Sequence, residues 1–285
     1  MEAIIPATVR VARATPPTTI GTLSVVGDAR RPSCATLQIA TLGGTRVLRD
    51  HEDIGGPWIE QRTGQLFKLL VTHRGRVVRV EEIIEWLWPE AGPAAVSTVR
   101  VTVHALRDIL DPDRCPRGVG SLIVSHRGGY RLDVDRIVVD ADRFADLVEF
   151  GLRADAAGHD AAGTAYLGEA VGLYGGPFLA DEAYSDWAVA ERERLQGIAA
   201  QALEVLSELA EREGDLHAAA RWLDRLAARE PYDEDLQRRL LTLCLRRGRR
   251  SEAMRRYAVL TARLRRDLNE EPSFQLSTLL AELGA

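Results

Sequence analysis

Three glycines, with the residues at fixed distances after them, constrain this chain most. Five residues after Gly158, Gly214 and Gly248 stand small residues: Gly163, Ala219 and Ala253. Nine residues after stand large ones, Leu167, Leu223 and Tyr257, and twelve after stand apolar ones, Ala170, Leu226 and Leu260. A small side chain lets two helices approach, and a large one fills the groove between them. Gly214 and Gly248 are 34 residues apart, the period of stacked helix-turn-helix pairs. The first interval, 56 residues, holds an insertion around 174-YGGPFLADEAYSDW-187. Stacked helical pairs present a surface suited to gripping another protein. The aromatics of the insertion, Tyr174, Phe178, Tyr184 and Trp187, read as core. Asp233-Glu234-Asp235, after Pro231, reads as an acidic helix start.

The first half has a different texture. Leu37–Ala40 and Val47–Leu48 read as short strands around Gly43-Gly44, with Trp58-Ile59 after Gly55-Gly56-Pro57 as a third. Residues 62–75 carry Leu66, Leu69 and Leu70 at helical spacing, with Gly75 at the stop. Residues 80–88 place Val80, Ile83, Ile84 and Leu87 on one face behind an acidic first turn.

The stretch 97-STVRVTVHALRDIL-110 is ambiguous at first sight, because V-R-V-T-V alternates like a strand. At 100° per residue, Val99, Val103, Leu106 and Leu110 fall in one narrow stripe, with Val96 at its margin. The stripe runs unbroken to Asp111-Pro112, where proline forbids continuation. A helix is therefore expected, with Val101 facing outward beside Ser97, Arg100, His104 and Asp108. Residues 121–134 then read as a β-hairpin turning at Gly128-Gly129. Strands, three helices and a hairpin are the order of a winged helix-turn-helix, whose third helix enters the major groove.

The blocks 75-GRVVRVEEIIEWLW-88, 99-VRVTVHALRDIL-110 and 127-RGGYRL-132 resemble the OmpR/PhoB-type winged-helix DNA-binding domain. The resemblance covers residues 36–135. It implies that Ser97, Arg100, Val101 and His104 meet DNA, arginine reading guanine and valine packing on a thymine methyl. It also implies that Arg127 contacts phosphate or the minor groove from the wing tip, and that Trp88 lies near the backbone. Thr98 and Arg107 are candidate phosphate contacts. The plain alternatives are a solvated arginine at 100, an idle histidine at 104 and a packing role for Trp88. This sequence departs from the family in having Ser97, Ala105, Asp108 and Ile109 where basic residues are frequent. Phosphate attraction should be weak, so two copies on a repeated site are expected.

Residues 140–285 resemble the bacterial transcriptional activator domain, a tetratricopeptide-like module. The carrying motifs are 140-DADRF-144, 173-LYGGPFLADEAYSDWAVAERERL-195 and 250-RSEAMRRYAVLTARLRRDLNEEPS-273. A winged helix joined to this module is the arrangement of Streptomyces antibiotic regulatory proteins, or SARPs. The expected fold is mainly α with a small β component: a winged helix-turn-helix, then a tetratricopeptide-like helical repeat domain. The resemblance implies an activator that binds direct repeats in double-stranded DNA upstream of secondary-metabolite biosynthetic genes. It implies recruitment of RNA polymerase through the σ factor or α subunit, and a homodimer on DNA. Two alternatives stay open: a repressor, or a helical-repeat scaffold whose winged helix binds protein.

Composition agrees and excludes. The chain has 285 residues, enough for two domains, and 46% hydrophobic with 28% charged residues is a soluble globular balance. Residues 1–139 hold 18 Arg/Lys against 15 Asp/Glu, a net of +3, and residues 140–285 hold 19 against 27, a net of −8. That asymmetry suits a nucleic-acid reader joined to a protein-binding or self-binding half. Cys34, Cys115 and Cys244 are scattered and odd in number, which points to a reducing cytoplasm and, for a DNA binder, the nucleoid. No membrane span is expected. There is no phosphate-binding loop, no metal-ligand spacing and no room for a receiver domain before residue 36. No enzyme activity, cofactor or metal is therefore expected. Residues 1–35 read as a flexible tail.

Overall fold

The computed structural model describes residues 37–92, 94–112 and 121–283. The expectation of a tail at 1–35, and with it Cys34 and Cys115, lies outside them.

The first strands are β1 (Leu37–Ala40), β2 (Arg46–Arg49) and β3 (Glu52–Asp53). They form a sheet in the order β3-β2-β1-β7, in which β7 (Ile137–Val139) runs parallel to β1 with Leu37 opposite Ile137. Of residues 136–139, between the two ranges expected for the domains, Ile137–Val139 are thus a sheet strand and Arg136 ends a 3-10 turn. The expected strand at Trp58-Ile59 is instead a 3-10 turn, Pro57–Glu60. Proline at its first position suits a helical turn, since its missing N–H would be unpaired there anyway. Trp58 Nε1 donates to the Ile54 carbonyl at 3.0 Å, and its ring meets Phe67 edge-on.

Three helices come next: α1 (Arg62–Thr72), α2 (Val80–Leu87) and α3 (Ala95–Leu110). The hairpin β5 (Ile123–His126) and β6 (Gly129–Leu132) pairs on its far side with β4 (Val78–Arg79). Its loop is Arg127-Gly128, one residue earlier than expected, because His126 pairs with Gly129 and Gly128 carries the positive φ of 82°. Gly129 lies inside the sheet, where a Cβ would sit 2.3 Å from the Val78 carbonyl oxygen.

The helical lobe comprises α4 (Asp140–Ala156), α5 (Asp160–Leu173), α6 (Val189–Arg212), α7 (Leu216–Ala227), α8 (Glu234–Arg246), α9 (Arg250–Asp267) and α10 (Leu276–Glu282). The three anchor glycines end α4, α6 and α8 with φ of 73°, 79° and 70°. Each is succeeded by the same six-to-one closure: His159 N to Ala154 O 2.9 Å, Asp215 N to Ala210 O 2.8 Å, and Arg249 N to Cys244 O 2.8 Å. This left-handed stop satisfies carbonyls the helix leaves over, and glycine enters it without a steric cost. The residues at the repeat offsets are buried, except that Tyr257 is half-buried and donates to the Phe274 carbonyl at 2.9 Å. Asp233 caps α8 by accepting from Leu236 N at 3.0 Å. In the insertion Tyr174, Phe178 and Trp187 are buried as expected, whereas Tyr184 is fully exposed. It stands on the turn between two 3-10 segments, Ala180–Glu182 and Asp186–Ala188, where its ring leaves the core.

One hydrophobic core runs from Leu37 in β1 to Leu243 in α8, so the winged helix and the helical lobe are packed together, and a second cluster of Leu241, Cys244, Leu245, Ala253 and Leu279 joins α8, α9 and α10. The insertion forms the seam. Leu179 N donates to Thr41 O at 2.8 Å, Ala180 N to Gly43 O at 2.7 Å, and Gly43 N to Pro177 O at 3.1 Å. Lys68 on α1, the chain's single lysine, is 2% exposed and reaches Asp181 at 2.6 Å and Glu182 at 2.9 Å. Asp140, the first residue of α4, accepts from Thr41 N, Thr41 Oγ1 and Leu42 N at 2.8, 2.6 and 3.0 Å. Burial still pushes its carboxyl above the ordinary range, with these hydrogen bonds opposing. Arg74 bridges Asp142 and Glu191. Among the described residues no helix is long and apolar enough to cross a membrane.

Candidate nucleic-acid interface

The site is built on α3. Ala95, Val99, Val103, Leu106 and Leu110 are its buried stripe, at the helical spacing anticipated for residues 97–110. The opposite side exposes Ser97, Thr98, Arg100, Val101 and His104, with Val101 70% exposed. A β-branched side chain left in water on a helix adds little to the fold, and its methyls are open to contact. Among the described residues Arg100 has no ion-pair partner. His104 Nδ1 lies 3.1 Å from Asp108 Oδ2 one turn on. Thr98 is exposed and its hydroxyl leans on the Ala94 carbonyl at 3.4 Å.

The helix is aimed by contacts at its far end. Arg49 of β2 donates to the Ile109 carbonyl at 2.6 Å. Arg107 donates to the Ile123 carbonyl at 2.7 and 3.1 Å and to Ser125 Oγ at 2.8 Å, and lies 5.9 Å from the Tyr130 ring centroid. Asp111 accepts from Leu122 N at 3.3 Å and meets Arg136 at 3.5 Å. These bonds couple α3 to the base of the wing.

The wing tip is placed from the other side. Val80 N, the first residue of α2, donates to the Gly128 carbonyl at 2.9 Å. Glu82 accepts from Arg79 N at 2.8 Å, and this hydrogen bond, opposed by partial desolvation, holds its carboxyl below the ordinary range. Arg127, at the loop, is exposed and among the described residues has no ion-pair partner. Trp88 closes α2 through Trp88 N to Ile84 O at 2.8 Å, and its ring is half-buried against the core.

Of the eight residues singled out, six (Ser97, Thr98, Arg100, Val101, His104 and Arg127) are thus exposed on α3 or the wing. Trp88 lies partly in the core, and Arg107 is a strut between α3 and the wing. Sequence reasoning missed Arg49 and Asp111, which orient the helix. Only Asp111, next to Pro112, had a local signal, as a helix-ending residue.

Comparison with known proteins places both halves. Residues 139–283 match the family model "Bacterial transcriptional activator domain", and residues 58–132 match "Transcriptional regulatory protein, C terminal". Regulatory protein AfsR of Streptomyces griseus is 29% identical over 89% of this chain, which spans 26% of that protein. Regulatory protein DnrI of Streptomyces peucetius is 29% identical over 85% of this chain and 90% of its own length. The solved structure of Mycobacterium tuberculosis EmbR, in complex with low affinity phosphopeptide, superposes with a TM-score of 0.69 at 25% identity, covering 87% of this chain and 65% of that one. A winged helix matched to the transcriptional regulatory C-terminal family, joined to a matched run of helical repeats, makes this chain a member of the bacterial transcriptional activator domain family in its SARP arrangement.

Proposed function

We propose that this protein is a sequence-specific DNA-binding transcriptional activator that binds direct repeats as two copies and recruits RNA polymerase. The observation that carries the reading is the outward row on α3, where Arg100 and Val101 stand exposed opposite a fully buried stripe. Arg100 reads guanine, Val101 packs on a thymine methyl, and Ser97, Thr98 and His104 contact the backbone or flanking bases. Arg127 meets phosphate or the minor groove. Arg107, already bonded to the wing, acts as a positioning residue, and the exposed edge of Trp88 lies beside the sugar-phosphate chain. The helical lobe serves self-association or contact with the σ factor or α subunit. The same reading takes biosynthetic genes as the targets and the cytoplasm as the compartment; the names of the relatives, two of them regulatory proteins from Streptomyces, support the regulatory part.

The test is selection of sites from a random duplex pool, repeated across a salt series. Two enriched elements spaced about 10–11 base pairs apart are expected. Arg100→Ala should relax one base position at a cost of about 1–3 kcal/mol, and Arg127→Ala should weaken all sequences and lower the salt slope by about one. No enrichment, and no binding at low salt, would overturn the reading in favour of a protein-binding winged helix, which the charge-poor α3 also permits. Loss of transcript in a run-off assay with purified polymerase would indicate a repressor.

A further inference from the structure

In a segment with a net charge of −8, most arginines are spent on carboxylates: Arg212, Arg239, Arg246 and Arg256 all pair with Asp or Glu. The outer side of α7 departs from that pattern. Arg221 and Arg225 on α7, and Arg229 in the turn after it, repeat every fourth residue, the two on the helix about 6 Å apart along the axis. All three are exposed, and among the described residues none has an ion-pair partner. Their guanidiniums lie against aromatic rings instead: Arg221 and Arg225 at 5.8 and 5.6 Å from the Trp222 centroid, Arg229 at 4.5 Å from that of Tyr174. These contacts hold the guanidiniums beside the rings; Arg225 also donates to the Val171 carbonyl at 3.4 Å, and among the described residues no carboxylate pairs with any of the three. Burial, and then the neighbouring Arg229, push the Arg225 guanidinium below its ordinary range, so the row carries charge it has not neutralised.

Beside Arg229 is a socket of about 280 Å³, lined by the apolar Pro177, Ala200 and Leu226, by Tyr174 and Arg229, and by the polar Gln196 and Glu230. Its size suits one large apolar side chain. We propose that this face of α7 docks an acidic peptide segment of a partner protein, its carboxylates on Arg221, Arg225 and Arg229 and one apolar side chain in the socket. The apolar part of the lining is what favours a peptide over a phosphate backbone, which has nothing to bury there.

The test is fluorescence anisotropy of a labelled peptide, aspartates flanking a central Leu-Phe, with the full chain. Salt-sensitive binding is expected, weakened about tenfold or more in Arg225→Glu/Arg229→Glu and less in Arg225→Gln/Arg229→Gln. Replacing Leu-Phe by Ser-Ser should weaken it about tenfold. The variants also lose the Arg225 hydrogen bond to the Val171 carbonyl and the Arg229 contact with Tyr174, so affinities are compared per folded molecule; the variants should bind duplex DNA as before, whereas Arg127→Ala should leave peptide affinity intact. Absence of binding at low salt, or equal binding by the variants, would overturn the proposal. So would variants that lose DNA affinity and keep the peptide, which would make this a nucleic-acid surface. Failure here would leave the α3 reading standing, because that rests on a different assay and different residues.

Discussion

The exposed row on α3 and the seam beneath the insertion use basic residues in opposite ways. Arg100 and Arg127 stand in water, and among the described residues neither has an ion-pair partner. Lys68 and Arg74 are withdrawn from water and held by carboxylates at 2.5–3.1 Å. A charge in solvent costs the fold little to keep and little to lose, so it is available for a partner. A buried charge has surrendered its hydration, and its removal strands the carboxylates that were arranged around it. Substitutions in the two regions should therefore separate binding from stability, and four measurements bear on that.

The largest effect is expected at Lys68. Lys68→Met should cost about 3 kcal/mol, read from urea unfolding, because Glu182 and part of Asp181 stay buried without a counter-ion. Adding Asp181→Asn and Glu182→Gln to that variant should recover part of the loss, and failure to recover would mean that packing, not charge, sets the cost. Next is Asp140→Ala, expected to cost about 2 kcal/mol by leaving the Thr41 and Leu42 N–H groups unpaired. Both should leave DNA affinity per folded molecule unchanged. A variant that loses DNA binding while fully folded would break the division between the two regions.

Arg107→Ala lies between the two regions. It removes the strut between α3 and the wing, so about 1–2 kcal/mol of stability should go together with a loss of affinity for all sequences. A loss at one base position only would instead assign Arg107 to the DNA. The smallest effect is a pH dependence. Burial depresses the His73 pKa below 6.5, with Arg76 adding to it. The unfolded chain then takes up the proton first as pH falls. The His73 contribution is complete above pH 6.5 and is lost as pH falls from there through the folded-state value. Unfolding midpoints from pH 8 to 5 should decline less in His73→Gln than in the parent.

The same contrast explains what could be read in advance. The α3 stripe and the three anchor glycines are local: each position is fixed by neighbours within a turn or two, and the one-dimensional pattern carries that information. Ser97, Arg100, Val101 and His104 came from the stripe by rotation alone. The seam is not local. Lys68 meets partners more than a hundred residues away, and no periodicity announces such a contact; its one trace was being the only lysine among 37 basic residues. The two misread segments fail for a related reason. Trp58 comes after a proline that starts a turn of helix, and Tyr184 shares its composition, but not its side of the chain, with Phe178 and Trp187. Strand β7 escaped notice because three apolar residues declare a strand only when β1 is beside them.

That short strand has a further consequence. With β7 laid along β1, the connection between the two lobes contains no hinge among the described residues. On the proposed reading, whatever azimuth α3 adopts around a duplex, the helical lobe must adopt with it. Two copies on sites one helical turn apart would then present their α7 faces in phase, on the same side of the DNA. Inserting half a turn between the sites would carry one lobe to the opposite side, with no hinge between the lobes among the described residues to bring it back.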